Sequence, residues 1–408
     1  MGHLSFHLVF YGLICILVYS QWYLFRKAKN FVHGRRWPPR IKRSAMFALG
    51  GFFALMLVPY LYRLSLGRPP AIHSAWFTYG ILYPFGIWSL GSFLTFLCLL
   101  PMTRIRPLLA ACSGRFSRLR ASKKEPDPKE TVFNRRAFLR WALGGTTAAP
   151  LLLTTYGTVY ARTAFETVAI DMPVRDFPGP LAGFRIVQIT DLHVGPFTSE
   201  RQTVKIVTKA NALAPDLVVI TGDLVHSSQD YIPPCVRALS RLRARYGVFA
   251  CQGNHEYWVG AEEVRRAVEA AGIRMLVNEG LTLPVRRGRI NLAAVDDTRV
   301  GAPDLNRALT DLDPSAPTLL LSHRPEMFPY AARRGVDLTL SGHYHGGQIK
   351  VRILGVPFTP VRLFTRYVEG AFRIGHSRLY VSRGLGTTGT PVRLGSRPEL
   401  TLIRLVPG

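Results

Sequence analysis

Cysteine and acidic side chains are both scarce in this 408-residue chain. The five cysteines, Cys15, Cys98, Cys112, Cys235 and Cys251, include no C-x-x-C pair, which excludes a disulfide framework and a thiolate metal centre. A Cys235–Cys251 bridge is an alternative for an exported domain, but buried free thiols are the favoured interpretation. Only 25 Asp and Glu stand against 52 Lys and Arg, and the net charge of +27, taken alone, is typical of nucleic-acid-binding proteins.

The positive charge is distributed unevenly along the chain. Residues 1–162 hold 22 basic and 3 acidic residues, residues 163–344 hold 20 of each, and residues 345–408 hold 10 basic and 2 acidic. The central segment is therefore neutral in sum, and most of the excess lies between apolar stretches of the first 162 residues. Because this distribution predicts no broad basic surface on the central segment, we do not expect nucleic acid as a partner.

Charges are absent from four long apolar stretches in the first 162 residues. Residues 4–25, 45–62 and 76–100 contain no Asp, Glu, Lys or Arg, and residues 141–161 also lack charge but are diluted by glycine and threonine. Such stretches are long enough to cross a hydrocarbon core of about 30 Å. We therefore predict about four transmembrane helices, with buried core helices of a soluble protein as the alternative.

The charges of the connecting loops predict an orientation for these helices. Eight basic residues lie between Arg26 and Arg43 and eleven between Arg104 and Arg140, whereas the other flanking segments hold few. The positive-inside rule places both basic loops in the cytoplasm. The N-terminus and everything after Arg162 would then lie outside, on the periplasmic side of a bacterial inner membrane.

A second pattern agrees with export of the C-terminal part. Residues 134–140, Asn-Arg-Arg-Ala-Phe-Leu-Arg, resemble a twin-arginine signal, and the apolar run that follows ends in Val159-Tyr160-Ala161, a small-residue cleavage pattern. Cleavage after Ala161 and retention of the segment as an anchor both stay open. A plain basic loop is the alternative interpretation of the arginine pair.

Residues 163–408 alternate short β-branched runs with helical patterns, which predicts one α/β domain after the transmembrane region of residues 1–162. Thr163–Gly183 is interpreted as a connector. The predicted strands are Phe184–Thr190, Leu217–Thr221, Gly247–Cys251, Ile290–Val295, Thr318–Ser322, Leu338–Ser341, Leu379–Ser382 and Leu400–Leu405. The predicted helices are Ser199–Leu213, Pro234–Arg245, Ala261–Ala271, Leu305–Leu312 and Pro325–Arg334.

Polar motifs follow five of these strands, at the edge where open α/β sheets place their sites. Carboxylate, amide and imidazole ligands without thiolate favour manganese, iron or zinc over calcium or magnesium. Each motif alone is typical of a turn or a cap, but the set predicts a metal centre. Asp296 and Asp297, at another strand end, are interpreted as a turn or as a pair behind the site. The five motifs are Asp191-x-His193, Gly222-Asp223, Gly253-Asn254-His255-Glu256, Ser322-His323-Arg324 and Gly342-His343-x-His345.

In this order the motifs resemble the calcineurin-like metallophosphoesterase superfamily over about Phe184 to Val406, and two further motifs, residues 346–348 and 381–386, resemble its membrane-attached bacterial branch. The resemblance implies a four-layer α/β/β/α sandwich with two metal ions. It also implies a non-ligand histidine, His255, near the leaving group. The implied ligands are Asp191, His193, Asp223 and His345 for one ion, and Asp223, Asn254, His323 and His343 for the other, with Asp223 bridging.

We therefore expect a membrane-anchored phosphoesterase with Asp223 and His255 as its catalytic residues. Its substrate would be a phosphodiester or pyrophosphate in a lipid or envelope component, cleaved by attack of a metal-bridging hydroxide. A phosphomonoesterase acting on soluble nucleotides or phosphoproteins is one alternative. A non-catalytic membrane sensor or assembly protein is the other.

The last residues form a second basic cluster. Ten basic residues follow Tyr344, and apolar residues at 353–358 and 363–364 lie among them. Basic and apolar surface together predict contact with anionic lipid headgroups or with a phospholipid substrate, and a solvated basic face is the alternative. Arg383 is the candidate for a phosphate-contacting arginine.

Overall fold

The computed structural model describes residues 3–66, 74–119, 135–175, 179–285, 288–353 and 355–408. The described chain divides into two compact units, residues 1–69 with 81–156 and residues 70–80 with 157–408. The predicted division at residue 162 and the observed one after Tyr156 lie close together in the sequence. Residues 70–80, which precede the second part of the first unit in the sequence, are assigned to the second unit.

Long helices make up the first unit. Among the residues with described side chains, Pro39–Tyr62 and Thr78–Pro101 are long and apolar enough to cross a membrane, and they overlap the predicted spans 45–62 and 76–100. The helices are α1 (His3–His33), α2 (Pro39–Leu66), a short α3 (Ala75–Phe77) with the π-helical turn Thr78–Leu82, α4 (Tyr83–Leu119) and α5 (Arg135–Tyr156), of which residues 75–80 belong to the second unit.

The other two predicted spans stay predictions. Residues 4–25 lie within α1, and residues 141–161 lie in α5 and the π-helical turn Gly157–Ala161 that follows. Both spans include residues whose side chains are not described. The basic loop from Arg104 to Arg140 and the arginine signal at residues 134–140 fall outside the described side chains as well.

A small polar cluster joins α1 and α4 inside the first unit. Gln21 is buried, its Nε2 donates to Ser92 Oγ at 2.6 Å, and its Oε1 accepts from Trp88 Nε1 at 2.6 Å. Between apolar helices an unpaired amide costs several kilocalories per mole, on the order of 2–7 kcal/mol, so these bonds specify how the two helices pair.

Two six-stranded sheets and a separate hairpin form the second unit. The first sheet has the order β1-β14-β2-β3-β4-β5, the second has the order β12-β13-β9-β8-β7-β6, and β10 and β11 pair with each other as a separate two-stranded sheet. The strands are β1 (Glu166–Val174), β2 (Phe184–Ile189), β3 (Leu217–Thr221), β4 (Val248–Cys251), β5 (Arg274–Met275), β6 (Glu279–Val285), β7 (Gly288–Ala294), β8 (Thr318–Leu321), β9 (Leu338–Ser341), β10 (Val351–Ile353), β11 (Val356–Phe358), β12 (Gly370–Ile374), β13 (Ser377–Val381) and β14 (Glu399–Pro407).

One central core and three outer cores, all among the described residues, give this unit its four layers. A central core joins the facing sides of the two sheets, with Phe184 and Ile186 from the first and Leu292 and Leu338 from the second. The outer face of each sheet is covered by helices, and the outer cores, one on the first sheet and two on the second, are separate from the central one. The helices are α6 (Glu200–Ala212), α7 (Ile232–Leu239), α8 (Asn254–Val259) and α9 (Ala261–Ala270) in the first half, and α10 (Leu305–Ala308) and α11 (Phe328–Arg333) in the second. The described unit therefore has the predicted α/β/β/α order.

The predicted connector Thr163–Gly183 is wrong in part, because β1 lies within it. β1 pairs in parallel with β14, near the other end of the chain, as an edge strand of the first sheet. Half-buried edge strands carry weak alternation, and their partner is remote in sequence, so local pattern did not identify it. β6 and β12 are also edge strands that were not predicted, although each pairs with the next strand along the chain; their side chains are only partly buried, so their alternation is weak. Cys235 and Cys251 are buried free thiols, as predicted.

Candidate metal centre

The residues predicted to bind metal lie at the carboxyl ends of five strands. β2, β3 and β4 run parallel in the first sheet, and β8 and β9 run parallel in the second. The sheets stack on one core, so the loops that leave these ends meet at one edge. The loops bring together Asp191 and His193 after β2, Asp223 after β3, Asn254 and His255 after β4, His323 after β8, and His343 and His345 after β9.

Five of these residues have left-handed backbone. The angle φ is 53° at Asp191, 47° at His193, 55° at Asp223, 75° at His343 and 52° at His345. Residues other than glycine rarely adopt this conformation, and aspartate and histidine are among those that adopt it most readily. Each instance costs about 1 kcal/mol or more and persists only where surrounding contacts hold it. Such clustering of backbone strain is typical of functional sites.

Glycine is required where these loops approach each other most closely. A Cβ on Gly342 would overlap both the carboxylate of Asp191 and the hydroxyl of Thr190, and a Cβ on Gly253 would overlap the carboxylate of Asp223. The backbone of Gly342 does not adopt positive φ, so the requirement there is for space alone. At both positions the backbone of one loop is therefore in contact with the aspartate carboxylate of another loop.

Three donor atoms converge in the first cluster. His193 Nε2 lies 3.0 Å from His345 Nε2, and Asp191 Oδ1 lies 3.4 Å from His345 Nε2 and 3.9 Å from His193 Nε2. All three side chains are buried. The backbone N–H of His343 donates to both oxygens of Asp191, at 3.1 and 3.0 Å, and so fixes that carboxylate.

The second cluster shares a carboxylate with the first. Asp223 Oδ2 lies 3.2 Å from His323 Nε2 and 3.6 Å from His193 Nε2, so the same oxygen faces both clusters. His323 Nε2 lies 3.1 Å from His343 Nδ1. The other oxygen of Asp223, Oδ1, accepts the backbone N–H of His255 at 2.9 Å.

Burial shifts the protonation of these groups. It lowers the pKa of His193, His343 and His345 well below the usual range, and so keeps these imidazoles in the neutral form that binds metals. It also raises the pKa of Asp191 to about 6. Burial alone would lower the pKa of His323, but the carboxylates of Asp223, Asp191 and Asp297 together outweigh it and raise that pKa to about 10.

The same ion pair sets the charge of Asp223. Burial would raise the pKa of this carboxyl, but His323 holds it well below its usual range. A metal ion bound between His323 and Asp223 would replace the proton of His323 beside the Asp223 carboxylate. Binding of the metal would therefore release this proton.

Glu256 organises the loops beneath the second cluster. Its Oε2 accepts the backbone N–H of Asp223 at 2.9 Å and of Gly253 at 2.7 Å, and its Oε1 accepts the N–H of Leu224 at 2.8 Å. Glu256 is completely buried, and burial together with Asp223 raises its pKa. The sequence does contain a signal for this role of Glu256, because a glutamate at the third position of a helix is typical of a capping box, in which its side chain binds backbone N–H groups.

Arg324 connects the second cluster to the acidic pair behind it. Its Nε donates to Asp297 Oδ2 at 2.8 Å, its Nη2 donates to Asn254 Oδ1 at 3.0 Å, and its Nη1 contacts His343 Nε2. Asp296 accepts the backbone N–H of Asp297 at 2.7 Å. The acidic pair therefore lies behind the site, which agrees with one of its two interpretations. Arg324 links this pair to the predicted ligands Asn254 and His343.

Arg393 holds the loop of the first cluster in a similar way. It is fully buried, its Nη2 lies 3.0 Å from His345 Nδ1, and its Nη1 donates to the carbonyl oxygen of His345 at 3.2 Å. Further bonds run to the carbonyl oxygens of Gly384 and Gly386 at 3.2 and 3.1 Å. Burial lowers the pKa of Arg393 to about 9, so it is still charged at neutral pH. Nothing in its local sequence distinguishes Arg393 from the surface arginines around it.

His255 lies beside the first cluster without joining it. Its Nδ1 contacts the backbone oxygen of His226, and because a carbonyl only accepts, this nitrogen carries the hydrogen. Its ring centroid is 4.3 Å from that of His193 and 4.3 Å from that of the half-exposed Trp258. His226 and Trp258 were not predicted as site residues, and only their nearness in space reveals them.

Arg383 is engaged by carboxylates. Its Nε donates to Glu399 Oε2 at 2.6 Å, and its Nη2 donates to Glu166 Oε1 at 2.9 Å. These bonds tie β1 and β14 to the loop after β13. They engage two of the five N–H donors of the guanidinium, and the predicted phosphate contact of Arg383 stays a prediction.

The donor set fits metal ions. Two pairs of imidazole nitrogens face each other at 3.0 and 3.1 Å, with carboxylate oxygens beside both pairs. Neutral nitrogens at such distances need a shared proton or a shared cation to avoid repulsion between lone pairs. Within the described residues, Asp191 with His193 and His345, and Asp223 with His323 and His343, each place three ligand atoms within 4.8 Å of one another.

Comparison with known proteins decides the family. A family model of calcineurin-like phosphoesterases matches residues 184–347. The metallophosphoesterase YkuE of Bacillus subtilis (strain 168) is 32% identical over 280 residues, which cover 67% of this chain and 97% of that protein. The chain belongs to the calcineurin-like phosphoesterase family. It is a metal-dependent phosphoester hydrolase.

Two further relatives show how this phosphoesterase resembles other members. The phosphodiesterase YaeI of Escherichia coli (strain K12) is 32% identical over 241 residues, which cover 56% of this chain and 85% of that protein. A transmembrane protein with a metallophosphoesterase domain from Danio rerio is 32% identical over 269 residues, which cover 62% of this chain. This phosphoesterase spans 60% of the length of the Danio rerio protein.

The close contact at Gly342 predicts a metal-binding defect. We expect Gly342→Ala to push the Asp191 carboxylate out of the first cluster and to weaken metal binding by roughly 10- to 100-fold, as disturbed ligand orientation does elsewhere. Titration of the metal-free phosphoesterase with Mn²⁺ and Zn²⁺ measures this. Gly179→Ala, where an added Cβ meets open space, is the matched control. Unchanged affinity in Gly342→Ala would show that the loop does not hold Asp191 in this way.

Proposed function

We propose that this phosphoesterase is a membrane-anchored enzyme with two metal ions that hydrolyses a phosphodiester or pyrophosphate bond of a lipid or envelope component. The observation that carries the proposal is the sharing of Asp223 between two clusters of ligand atoms. One ion would be held by Asp191, His193, Asp223 and His345. The other would be held by Asp223, Asn254, His323 and His343.

The charges of these residues favour a phosphate ester as ligand. Two divalent ions carry a charge of +4, and Asp191 and Asp223 offset only −2 of it. When bound, such ions lower the pKa of water towards neutrality and stabilise charge that develops on phosphoryl oxygens. Arg393 adds buried positive charge behind the ligands, which further favours an anion in front of them, whereas the charge of Arg324 is paired with Asp297.

His255 is the residue best placed to handle the leaving group. Its backbone N–H is bonded to Asp223, and its Nδ1 is bonded to a backbone oxygen, so the ring has a defined orientation at the rim of the first cluster. Its Nε2 is left to exchange a proton. In the imidazolium form, His255 would donate that proton to the departing oxygen, a contribution worth about 10²- to 10⁴-fold in rate.

Two considerations support the proposed substrate class. The Escherichia coli relative is named a phosphodiesterase, which favours a diester over a monoester for this enzyme. Two helical stretches of the first unit are long and apolar enough to cross a membrane, and a relative carries the name of a transmembrane protein, which favours a substrate at a membrane. Manganese, iron and zinc are the metals that this ligand set suits.

We expect metal-dependent hydrolysis of bis(p-nitrophenyl) phosphate by the purified full-length chain, faster than hydrolysis of p-nitrophenyl phosphate. Asp223→Asn should lower kcat/KM at least about a hundredfold, because both ions lose a ligand. His255→Ala should lower it roughly 10²- to 10⁴-fold while leaving metal content unchanged. Release of p-nitrophenol with and without added Mn²⁺ measures both effects.

Matched controls come from the surface of the same unit. Asp311→Asn changes an exposed aspartate at φ 60°, where asparagine is tolerated, and His376→Ala changes an exposed histidine. Both controls should keep full activity. Undiminished turnover in Asp223→Asn would sink the proposed mechanism, and preference for the monoester would favour the phosphomonoesterase alternative.

We also propose that the second unit lies on the outer, periplasmic side of a bacterial inner membrane, with several spans before it. The basic residues between Arg26 and Arg43 would then be cytoplasmic. A reporter enzyme that is active only in the periplasm should be active when fused after Gly408 and inactive when fused after Lys42. The reverse pattern would contradict this orientation.

A further inference from the structure

Apolar side chains are exposed in a short segment that follows the metal-binding loop. β10 and β11 form a hairpin outside both large sheets, and a helical turn over Pro360–Leu363 follows it. Isolated hairpins are only marginally stable, and exposed apolar patches mark surfaces that contact something else. The exposed fractions are 40% for Val351, 61% for Val356, 38% for Phe358, 72% for Leu363 and 55% for Phe364.

The charge of this segment has one sign. No Asp or Glu occurs between Gln348 and Tyr367 in the sequence. Arg352, Arg362 and Arg366 are exposed, and in the part of the chain that the structure describes they form no ion pair with a carboxylate. The segment therefore combines an apolar surface with uncompensated positive charge.

We infer that residues 351–353 and 355–366, together called the docking segment, contact the surface of an anionic lipid bilayer. Leucine and phenylalanine bury at the boundary between headgroups and acyl chains, and arginines beside them pair with lipid phosphates. The apolar stretches Pro39–Tyr62 and Thr78–Pro101 support a bilayer as the occupant, because a chain anchored by them would keep one within reach. A partner protein recognised by this much positive charge would need a complementary acidic surface.

The docking segment is bonded directly to the loop that carries His345. The buried Thr359 donates from Oγ1 to the carbonyl oxygen of Gly347 at 3.3 Å, and its side chain fills the space where Gly347 would carry a Cβ. Just before the hairpin, Lys350 donates its backbone N–H to the carbonyl oxygen of Leu394 at 2.7 Å. Contact with a bilayer would therefore orient the metal centre relative to the lipid headgroups. This inference goes beyond the proposed function, since it holds for any substrate.

Photolabelling of the full chain in nanodiscs tests the inference. A diazirine-bearing phospholipid is included in discs of phosphatidylcholine with or without phosphatidylglycerol, and labelled peptides are identified by mass spectrometry. We expect labelling of the docking segment that requires phosphatidylglycerol and weakens as salt shortens the screening length from about 8 Å at 0.15 M to about 3 Å at 1 M. Peptides from Pro39–Tyr62 report whether the chain is anchored at all, independently of the docking segment.

Paired substitutions separate the contributions of charge and apolar surface. Arg362→Glu with Arg366→Glu should lower the labelling of the docking segment by roughly fivefold or more per arginine, and Leu363→Asp with Phe364→Asp should abolish it. Arg333→Glu with Arg334→Glu, a matched change on exposed residues of the same unit, should have no effect. Hydrolysis of the soluble bis(p-nitrophenyl) phosphate should be unchanged in all of these variants, which separates the docking segment from the catalytic proposal.

Two outcomes would overturn the inference. One is labelling of the docking segment that does not depend on phosphatidylglycerol or on the paired substitutions. The other is crosslinking of the docking segment to a second copy of the chain in place of lipid.

Discussion

Burial of Asp191 and Asp223 at the meeting point of two sheets is the constraint on which the rest of the second unit depends. Burying a carboxylate without positive charge beside it costs free energy of folding, and Glu256 is a third buried carboxylate at this place. The molecule surrounds them with His323, Arg324 and Arg393 and with backbone N–H donors. This arrangement requires loops from both sheets, and therefore requires that the two sheets stack.

The same constraint explains the backbone of the loops. Asp191, His193 and Asp223 have positive φ in the first sheet's loops, as do His343 and His345 in the loop after β9. This conformation turns side chains from successive strand ends towards one point, and glycines such as Gly342 allow the loops to touch. The central core between the sheets, with Phe184 and Leu292 in it, provides the rigid support that holds this strain.

Much of this organisation could be predicted from the sequence, and the remainder could not for definite physical reasons. Strand ends marked by Asp223 or His323 carry local signals, because a buried β-branched run stops and a polar turn begins. Arg393 and β1 depend on partners far away in the sequence, His345 and β14 respectively, so no local pattern reveals them. The ion pairs of Arg383 with Glu399 and Glu166 are likewise contacts between residues on separate segments that no local pattern reveals, and its predicted phosphate contact stays a prediction.

The positions of the basic residues in the structure show that the net positive charge of the chain does not form one continuous basic surface among the described residues of the second unit. Of the C-terminal basic residues, Arg393 is buried behind the metal centre, Arg404 pairs with Asp171, and Arg362 and Arg366 remain exposed on the docking segment. A net charge that is typical of nucleic-acid-binding proteins is therefore divided among helix-flanking loops, internal support of the site and one exposed surface.

Metal stoichiometry tests the shared carboxylate most directly. The purified enzyme, saturated with Mn²⁺ and freed of excess, should retain two ions per chain by elemental analysis, His345→Ala should retain one, and Asp223→Asn should retain neither tightly. Two ions per chain in Asp223→Asn, or a single ion in the unsubstituted enzyme, would contradict a centre built around Asp223.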